Sequence, residues 1–438
     1  MKSVVGVGVG VGVGVVAAEV AAPPDWSCLP DDMLLIVMQI LDIRDLLSAG
    51  AVCSSWRPAY LAIRSIRLPI TNASPCILYS RESDDSNTAT IYSPSSKMTF
   101  KVRLPDPPFR CRHVVGSGHG WIVTADEMSN LQALNPLTGA QVDLPPVTGL
   151  YHVESFLDQL GRIMYNHHYD APGDPDPLVY HPEELRLFLY HRVVMSCSPS
   201  AGRQCVVLLI HRPTGQLSFA RIGDQRWTRI IGEGDVFDEL ELHLMDAVYN
   251  ENDCLFYVVS RYGCIFTLDL NGPLPVARKI FQEVAIDDCT KYIVITPMGS
   301  IFQVWRFSQC RLATNPGTYV PNIWDDEDDE FDDKEWITTT MELYKVDIDE
   351  QKLVKSTCLE GYALFMGFSS PILVPTQDFL AFGRDCAYFT DDTLESICIH
   401  KFGRRDIGRP EVLPSAGILQ GRPETGATLR GHTARYGV

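Results

Sequence analysis

From residue 76 onward, short strand-like runs alternate with turn signals, and helical periodicity all but disappears. β-branched, aromatic and aliphatic residues cluster at Cys76–Tyr79, Thr88–Tyr92, Met98–Leu104, Trp121–Thr124, Leu131–Asn135 and Ala140–Leu144. The same texture continues through Cys205–His211, Gln216–Ile222, Trp227–Ile231, Ala247–Asn250, Leu255–Ser260 and Ile265–Leu270. It ends with Tyr292–Thr296, Ser300–Arg306, Met341–Val346 and Lys352–Thr357. Turn residues separate these runs, as at Ser93-Pro94-Ser95-Ser96, Pro136-Leu137-Thr138-Gly139, Arg212-Pro213-Thr214-Gly215 and Asn271-Gly272. One short helical turn is expected at Pro182–Leu187. The strand–turn–strand unit returns roughly every 40–80 residues, a loose repeat with insertions. Radial repetition buries strand faces and leaves few open edges. The pattern therefore predicts a mainly β fold, a propeller of about five to seven blades over residues 76–398. A large β-sandwich is the alternative.

The segment before it, residues 25–66, has a different texture and reads as three short helices. Pro30 suits a first helical turn, and Asp31 and Asp32 complement the positive end of the dipole. Met33, Ile36, Val37, Ile40 and Leu41 share one helical face. Leu34, Leu35 and Met38 lie off that face and are apolar too. A helix apolar nearly all round needs burial on more than one side. Asp42 or Asp45 can cap a second helix through Leu46 and Leu47. A third carries Val52, Trp56, Tyr60 and Ile63. Some forty residues are too few to bury this surface alone, so the rest of the chain or another protein must cover it.

The net charge of −18 over 438 residues argues against nucleic-acid binding. Asp325–Glu335 alone contributes −8 of it, and the run 324–336 reads as a solvated acidic loop. Trp324, Phe331 and Trp336 are possible anchors there for a basic partner. The thirteen cysteines form no C-x-x-C, and an odd number cannot all pair within one chain. Free thiols in a reducing compartment, nucleus or cytoplasm, are expected. Residues 1–24 contain a Val-Gly alternation from Val4 to Val16 and read as a low-complexity, disordered leader, with a signal peptide as the rival. No stretch is apolar enough and long enough to suggest a membrane-spanning helix. Residues 399–438 are Gly- and Arg-rich and read as a disordered basic tail, which leaves closure of the last blade open.

Catalytic and ligand motifs are sparse. Gly116-Ser117-Gly118-His119-Gly120 has the glycines of a phosphate loop but leads into a strand, Trp121-Ile122-Val123, where a dinucleotide site needs a helix. His167 and His168 with Asp170 could hold a metal, but they adjoin the Pro/Gly/Asp-rich stretch Ala171–Pro177 and read as a solvated insertion. No cofactor is implied. The Asn72-Ala73-Ser74 sequon is silent in a reducing compartment.

Leu29-Pro30, Leu34-Leu35, Ile40-Leu41, Asp45-Leu46-Leu47, Val52-Cys53 and Trp56-Arg57 resemble the F-box in order and spacing. Ile36 departs from it, since many members carry an acidic residue there. The later segment is similar to the C-terminal propeller domain of a large group of plant F-box proteins. That resemblance rests on Gly116–Trp121 with Leu134–Gly139, Gly223–Thr228, Phe256–Val259 with Phe266–Leu270, Tyr292–Val294, Tyr344–Asp347, Ala363–Gly367 and Tyr388–Asp392. It implies a non-catalytic substrate receptor of an SCF-type (cullin–RING) ubiquitin ligase. The F-box would dock on the Skp-type adaptor, and through it a cullin. Leu29, Pro30, Leu34, Leu35, Ile40, Leu41, Val52, Cys53 and Trp56 would form its adaptor-facing and internal surfaces. The propeller would hold an unidentified target protein. The alternatives are a propeller hydrolase or lyase, which needs converging carboxylates or histidines, and an F-box protein that binds without a ligase.

Overall fold

A computed structural model of the chain describes residues 25–41, 43–66, 75–81, 87–168, 176–212, 216–231, 243–282, 289–312, 334–367, 371–390, 396–404, 407–412 and 418–419. Three helices open it: α1 (Asp31–Ile40), α2 (Ile43–Ala49) and α3 (Trp56–Ile66). Seven sheets follow among the described residues.

Six of the sheets form a ring, and the shared cores establish its order. Blade 1 holds Ile77–Arg81, Thr88–Ser93 and Met98–Arg103; blade 2 runs from His113–Gly118 to Gln141–Asp143. Ala89, Ile91 and Val102 of the first pack with Leu134 of the second. Blade 3, from Tyr190–Met195 to Thr228–Arg229, shares Val123, Val193 and Leu209 with blade 2. Blade 4, from Leu244–Asn250 to Val276–Phe281, buries Ala247 and Phe256 against Leu208 and Phe219 of blade 3. Blade 5 holds Thr290–Ile295, Ile301–Leu312, Lys334–Asp347 and Lys352–Ser356, and meets blade 4 through Ile293, Met245 and Val259. Blade 6, from Tyr362–Met366 to Ile407–Val412, meets blade 5 through Leu364 and Phe389. Tyr79 and Tyr92 then pack on Ala363 and Tyr388, so blade 6 returns to blade 1. The ring thus falls within the expected blade number.

The tail does not follow the expectation of disorder from residue 399. Ser396–Lys401 and Ile407–Val412 complete blade 6, and Ile418–Leu419 pairs with Ser80 and Arg81 at the inner side of blade 1. The first and last described strands therefore share one sheet, which latches the ring. Residues 420–438 and the leader 1–24 lie outside the described residues, as do residues 324–333 of the acidic run. Its last residues, Lys334–Trp336, begin a strand of blade 5 opposite Leu312, Arg311 and Cys310.

The expected turn at Pro136–Gly139 forms with the expected chemistry, while residues 213–215 of another lie outside the described residues. Asn135 Oδ1 accepts from the N–H groups of Leu137 and Thr138, both at 3.0 Å, and Gly139 takes φ 70°. Gly116–Gly120 is a hairpin, with His119 and Gly120 both at positive φ between the paired residues Gly118 and Trp121. Trp121 and Trp227 fill the space between blades 2 and 3, donating to Ser198 Oγ at 3.1 Å and to the Pro145 carbonyl at 3.0 Å. Gly116, beside a register slip, lets the inner strands of these blades pass closely: a Cβ there would lie 2.5 Å from the Val193 carbonyl oxygen. Gly116→Ala should therefore cost about 1–3 kcal/mol in urea unfolding. Gly118→Ala, whose Cβ would meet only Met195 Cε at 3.6 Å, should be close to neutral.

Because blades 2 and 3 touch directly, the sheet Val153–Leu157, Ile163–His167 and Leu178–Tyr180 stands outside the ring as an insert. Its Val153 and Tyr165 join the core beneath it, with Leu185 and Leu189 of α4 (Pro182–Leu189). His167 and His168 are buried here rather than solvated. The His152 ring stacks on His211 at 4.9 Å and meets His167 edge-on at 5.0 Å. Asp170 lies outside the described residues, and among those described no cluster has the arrangement of a metal site. Eleven cysteines, four of them buried, are free thiols.

Candidate partner-docking surface

The three-helix head has a small core of its own. Leu34 and Met38 of α1, Leu46 and Ala49 of α2, and Ala59 and Ile63 of α3 are buried together. Leu29, Leu35, Leu41, Trp56 and Tyr60 pack against them half-buried. Pro30 sits just before α1, one residue earlier than a first-turn position, and its carbonyl accepts from Met33 and Leu34 N–H at 3.0 Å. Trp56 donates its indole N–H to the Trp26 carbonyl at 2.9 Å, tying the start of the head to α3. At that start, the Ser27 hydroxyl and then its N–H hold the Asp25 carboxyl below the usual carboxylate range. Gly50 leaves room for the Tyr60 ring, which a Cβ would meet at 2.6 Å.

Two residues of the regularly spaced row of α1 face outward, while Val37 and Leu41 are half-buried. Met33 and Ile36 are 50% and 57% exposed, while Leu34 and Met38 point into the head. Val52 precedes α3 rather than lying on it and is 59% exposed. Trp26 and Leu61 are exposed as well. Of the nine site residues read from the sequence, Pro30 and Val52 are therefore open. Leu29, Leu35, Leu41, Cys53 and Trp56 are half-buried, and Leu34 is internal. The Ile40 side chain lies outside the described residues. Cys53 Sγ is 3.0 Å from Ser55 Oγ, a contact that lowers the thiol pKa. Trp26, Met33, Ile36 and Leu61 are exposed residues that the site reading left out. The i, i+3 spacing of Met33 and Ile36 carried the signal; nothing local marked Leu61.

The head thus displays large apolar side chains beyond a core that is already closed. Residues 26–59 match the F-box-like family, and residues 91–409 match the KIB1-4 beta-propeller family. The chain belongs to the KIB1-4 beta-propeller family of F-box proteins. The relative named Putative F-box protein At4g22170, from Arabidopsis thaliana, is 32% identical over 66% of this chain and 73% of its own length. Putative F-box protein At5g55150, from the same plant, is 24% identical over 84% of this chain and 85% of its own. In this F-box protein buried charged groups of the propeller are held by contacts between neighbouring blades. Asp246 Oδ1 lies 3.2 Å from Arg192 Nε, and its Oδ2 accepts from Ile293 N–H at 3.1 Å. Lys291 donates to the Arg261 carbonyl and lies over the Trp305 ring. No described helix is long and apolar enough to cross a membrane.

Proposed function

We propose that this F-box protein is the non-catalytic substrate receptor of an SCF-type ubiquitin ligase, working in the nucleus or cytoplasm. The F-box head docks on a Skp-type adaptor, which connects it to a cullin. The observation that carries this is the exposure of the apolar side chains Met33, Ile36 and Val52 on a head with a buried core of its own. Burial of each large apolar side chain by the adaptor contributes roughly 1.5–3 kcal/mol before the cost of association. The propeller holds the target protein near a charged ubiquitin-conjugating enzyme. Catalysis then proceeds by raising the effective concentration of target lysines.

Co-purification with a Skp-type adaptor tests this directly. The wild-type chain is expected to retain the adaptor, and Met33→Glu/Ile36→Glu is expected to release it with at least a hundredfold weaker affinity. Both positions are exposed, so the circular dichroism spectrum should not change. Wild-type protein that ignores the adaptor, or a double variant that holds it as well, rules the reading out.

A further inference from the structure

Five of the six blades end in outer strands that carry cations, blade 2 with Gln141–Asp143 being the exception. The cations are Lys101 and Arg103 in blade 1, Arg229 in blade 3, Arg278 and Lys279 in blade 4, Lys352 and Lys355 in blade 5, and Arg409 in blade 6. Charges of this kind discourage the addition of a further strand. The insert's edge strand, Val153–Leu157, has no Lys, Arg or Pro. All its residues except Val153 are exposed.

The hydrogen-bond register shows which main-chain groups this edge leaves open. His168 N–H donates to the His152 carbonyl and Asp158 N–H to the Arg162 carbonyl, each at 2.9 Å. Bonded pairs in an antiparallel ladder recur at every second residue. Between those two bonds, Glu154 with Asn166 and Phe156 with Met164 are therefore the bonded pairs. The N–H and C=O groups of Ser155 and Leu157 point the other way. Among the described residues no strand pairs with that side. Apolar side chains flank it: Phe156 on one face, Leu157 and its cross-strand neighbour Ile163 on the other, and Leu160 at the hairpin tip. Leu157 is 65% and Leu160 76% exposed.

We infer that this edge receives an extended segment of the target protein as an added β-strand, a deepening that rests on the receptor reading. The open main-chain groups of Ser155 and Leu157 supply the hydrogen bonds. Alternate apolar side chains of the segment meet Phe156 on one face and Leu157 with Ile163 on the other. Glu154, whose side chain is 58% exposed and whose carboxylate lies 3.6 Å from the buried His168 Nε2, selects a cation on the segment beside it. The same charge pattern disfavours a second copy of this chain. An antiparallel self-pair through Ser155 and Leu157 sets Glu154 opposite the other copy's Asp158 on both sides of the two-fold, and like charges directly opposite are destabilising.

Selection from a display library of random linear peptides on the full-length protein tests the inference. The recovered peptides are expected to alternate apolar and polar residues and to carry Lys or Arg. Ser155→Pro removes only an outward N–H and leaves the inner ladder intact. It should weaken the recovered peptides at least tenfold, as should Leu157→Lys, with unchanged unfolding midpoints. N-methylation of alternate peptide residues should abolish binding in one register and spare it in the other. No enrichment, or binding indifferent to both substitutions, overturns the inference. Self-association that Ser155→Pro abolishes also overturns it, in favour of a second copy. Met33→Glu/Ile36→Glu should leave peptide binding intact. If the wild type ignores the adaptor yet peptides bind as described, the ligase reading fails and the edge remains a binding site.

Discussion

Asp246→Ala should lower the unfolding free energy by about 3–5 kcal/mol, because it leaves the Arg192 charge buried without its carboxylate. Asp246 sits on the first strand of blade 4, Arg192 on that of blade 3, and Ile293 on that of blade 5. One carboxylate therefore joins three neighbouring blades, through Arg192 on one side and the Ile293 N–H on the other. Its side chain is fully buried and that of Arg192 nearly so. Burial pushes the Asp246 pKa up to about 6; Arg192 and the N–H groups of Ile293 and Ala247 hold it down against that effect. At pH 7.5 the group is ionised and the pair is intact. Arg192→Met removes the cation, so the carboxyl pKa rises further and the group can protonate instead of remaining a lone buried charge. Its loss should be smaller than that of Asp246→Ala. The double variant Arg192→Met/Asp246→Leu removes both charges and should recover part of the stability. Urea unfolding at pH 7.5 measures all three. A loss below about 1 kcal/mol for Asp246→Ala would falsify the role given to this pair.

The strand pattern was readable because period-two runs and turn chemistry are local. Asn135, Gly139 and the Asn271-Gly272 turn announce themselves in any sequence, and they bound real strands. What escaped depends on distance in the chain. The tail strand Ile407–Val412 contains Gly408 and Pro410, which read as breakers, yet it is the outer strand of blade 6, where a missing N–H is tolerated. The Ile418–Leu419 latch needs a partner more than three hundred residues away, and no window contains both. The insert was hidden by its Pro/Gly/Asp-rich connection, which gave His167 and His168 a solvated appearance. In the head, the three helices were legible, but their orientation was not. A helix apolar on every side, such as Met33–Leu41, carries no internal sign of which row its own core will take. The structure gives Leu34 and Met38 to the core and leaves Met33 and Ile36 exposed.

The buried histidines make the propeller acid-labile. Burial holds His152 at about 2 and His167 and His211 at about 4, against 6.5 for an unburied imidazole. Neighbouring charges in the group, the other histidines together with Arg212 and Arg229, depress them further. His400, fully buried at blade 6, is lowered by burial as well. In each case the folded pKa lies below the unfolded one. The unfolded chain therefore binds more protons, and stability is fully present above about pH 6.5 and lost as pH falls below it. Each histidine contributes a slope of roughly 1.4 kcal/mol per pH unit until its folded pKa is reached. Asp246 acts in the opposite sense between its unfolded value of 3.8 and about 6, because the folded state takes up its proton first. Burial likewise holds His113 at about 4 and His191 at about 3. Five histidines less one carboxylate leave a slope of roughly 5–6 kcal/mol per pH unit between pH 6 and 4. A folded domain with 5–15 kcal/mol in hand would lose most of it over that interval. Urea midpoints at pH 7.5, 6.5 and 5.5 should therefore fall with increasing steepness. His152→Phe keeps a ring stacked on His211 and removes one titrating group, so its pH slope should flatten by about one proton. An unchanged slope in that variant, or midpoints level from pH 7.5 to 5.5, would show that the imidazoles protonate freely in the fold.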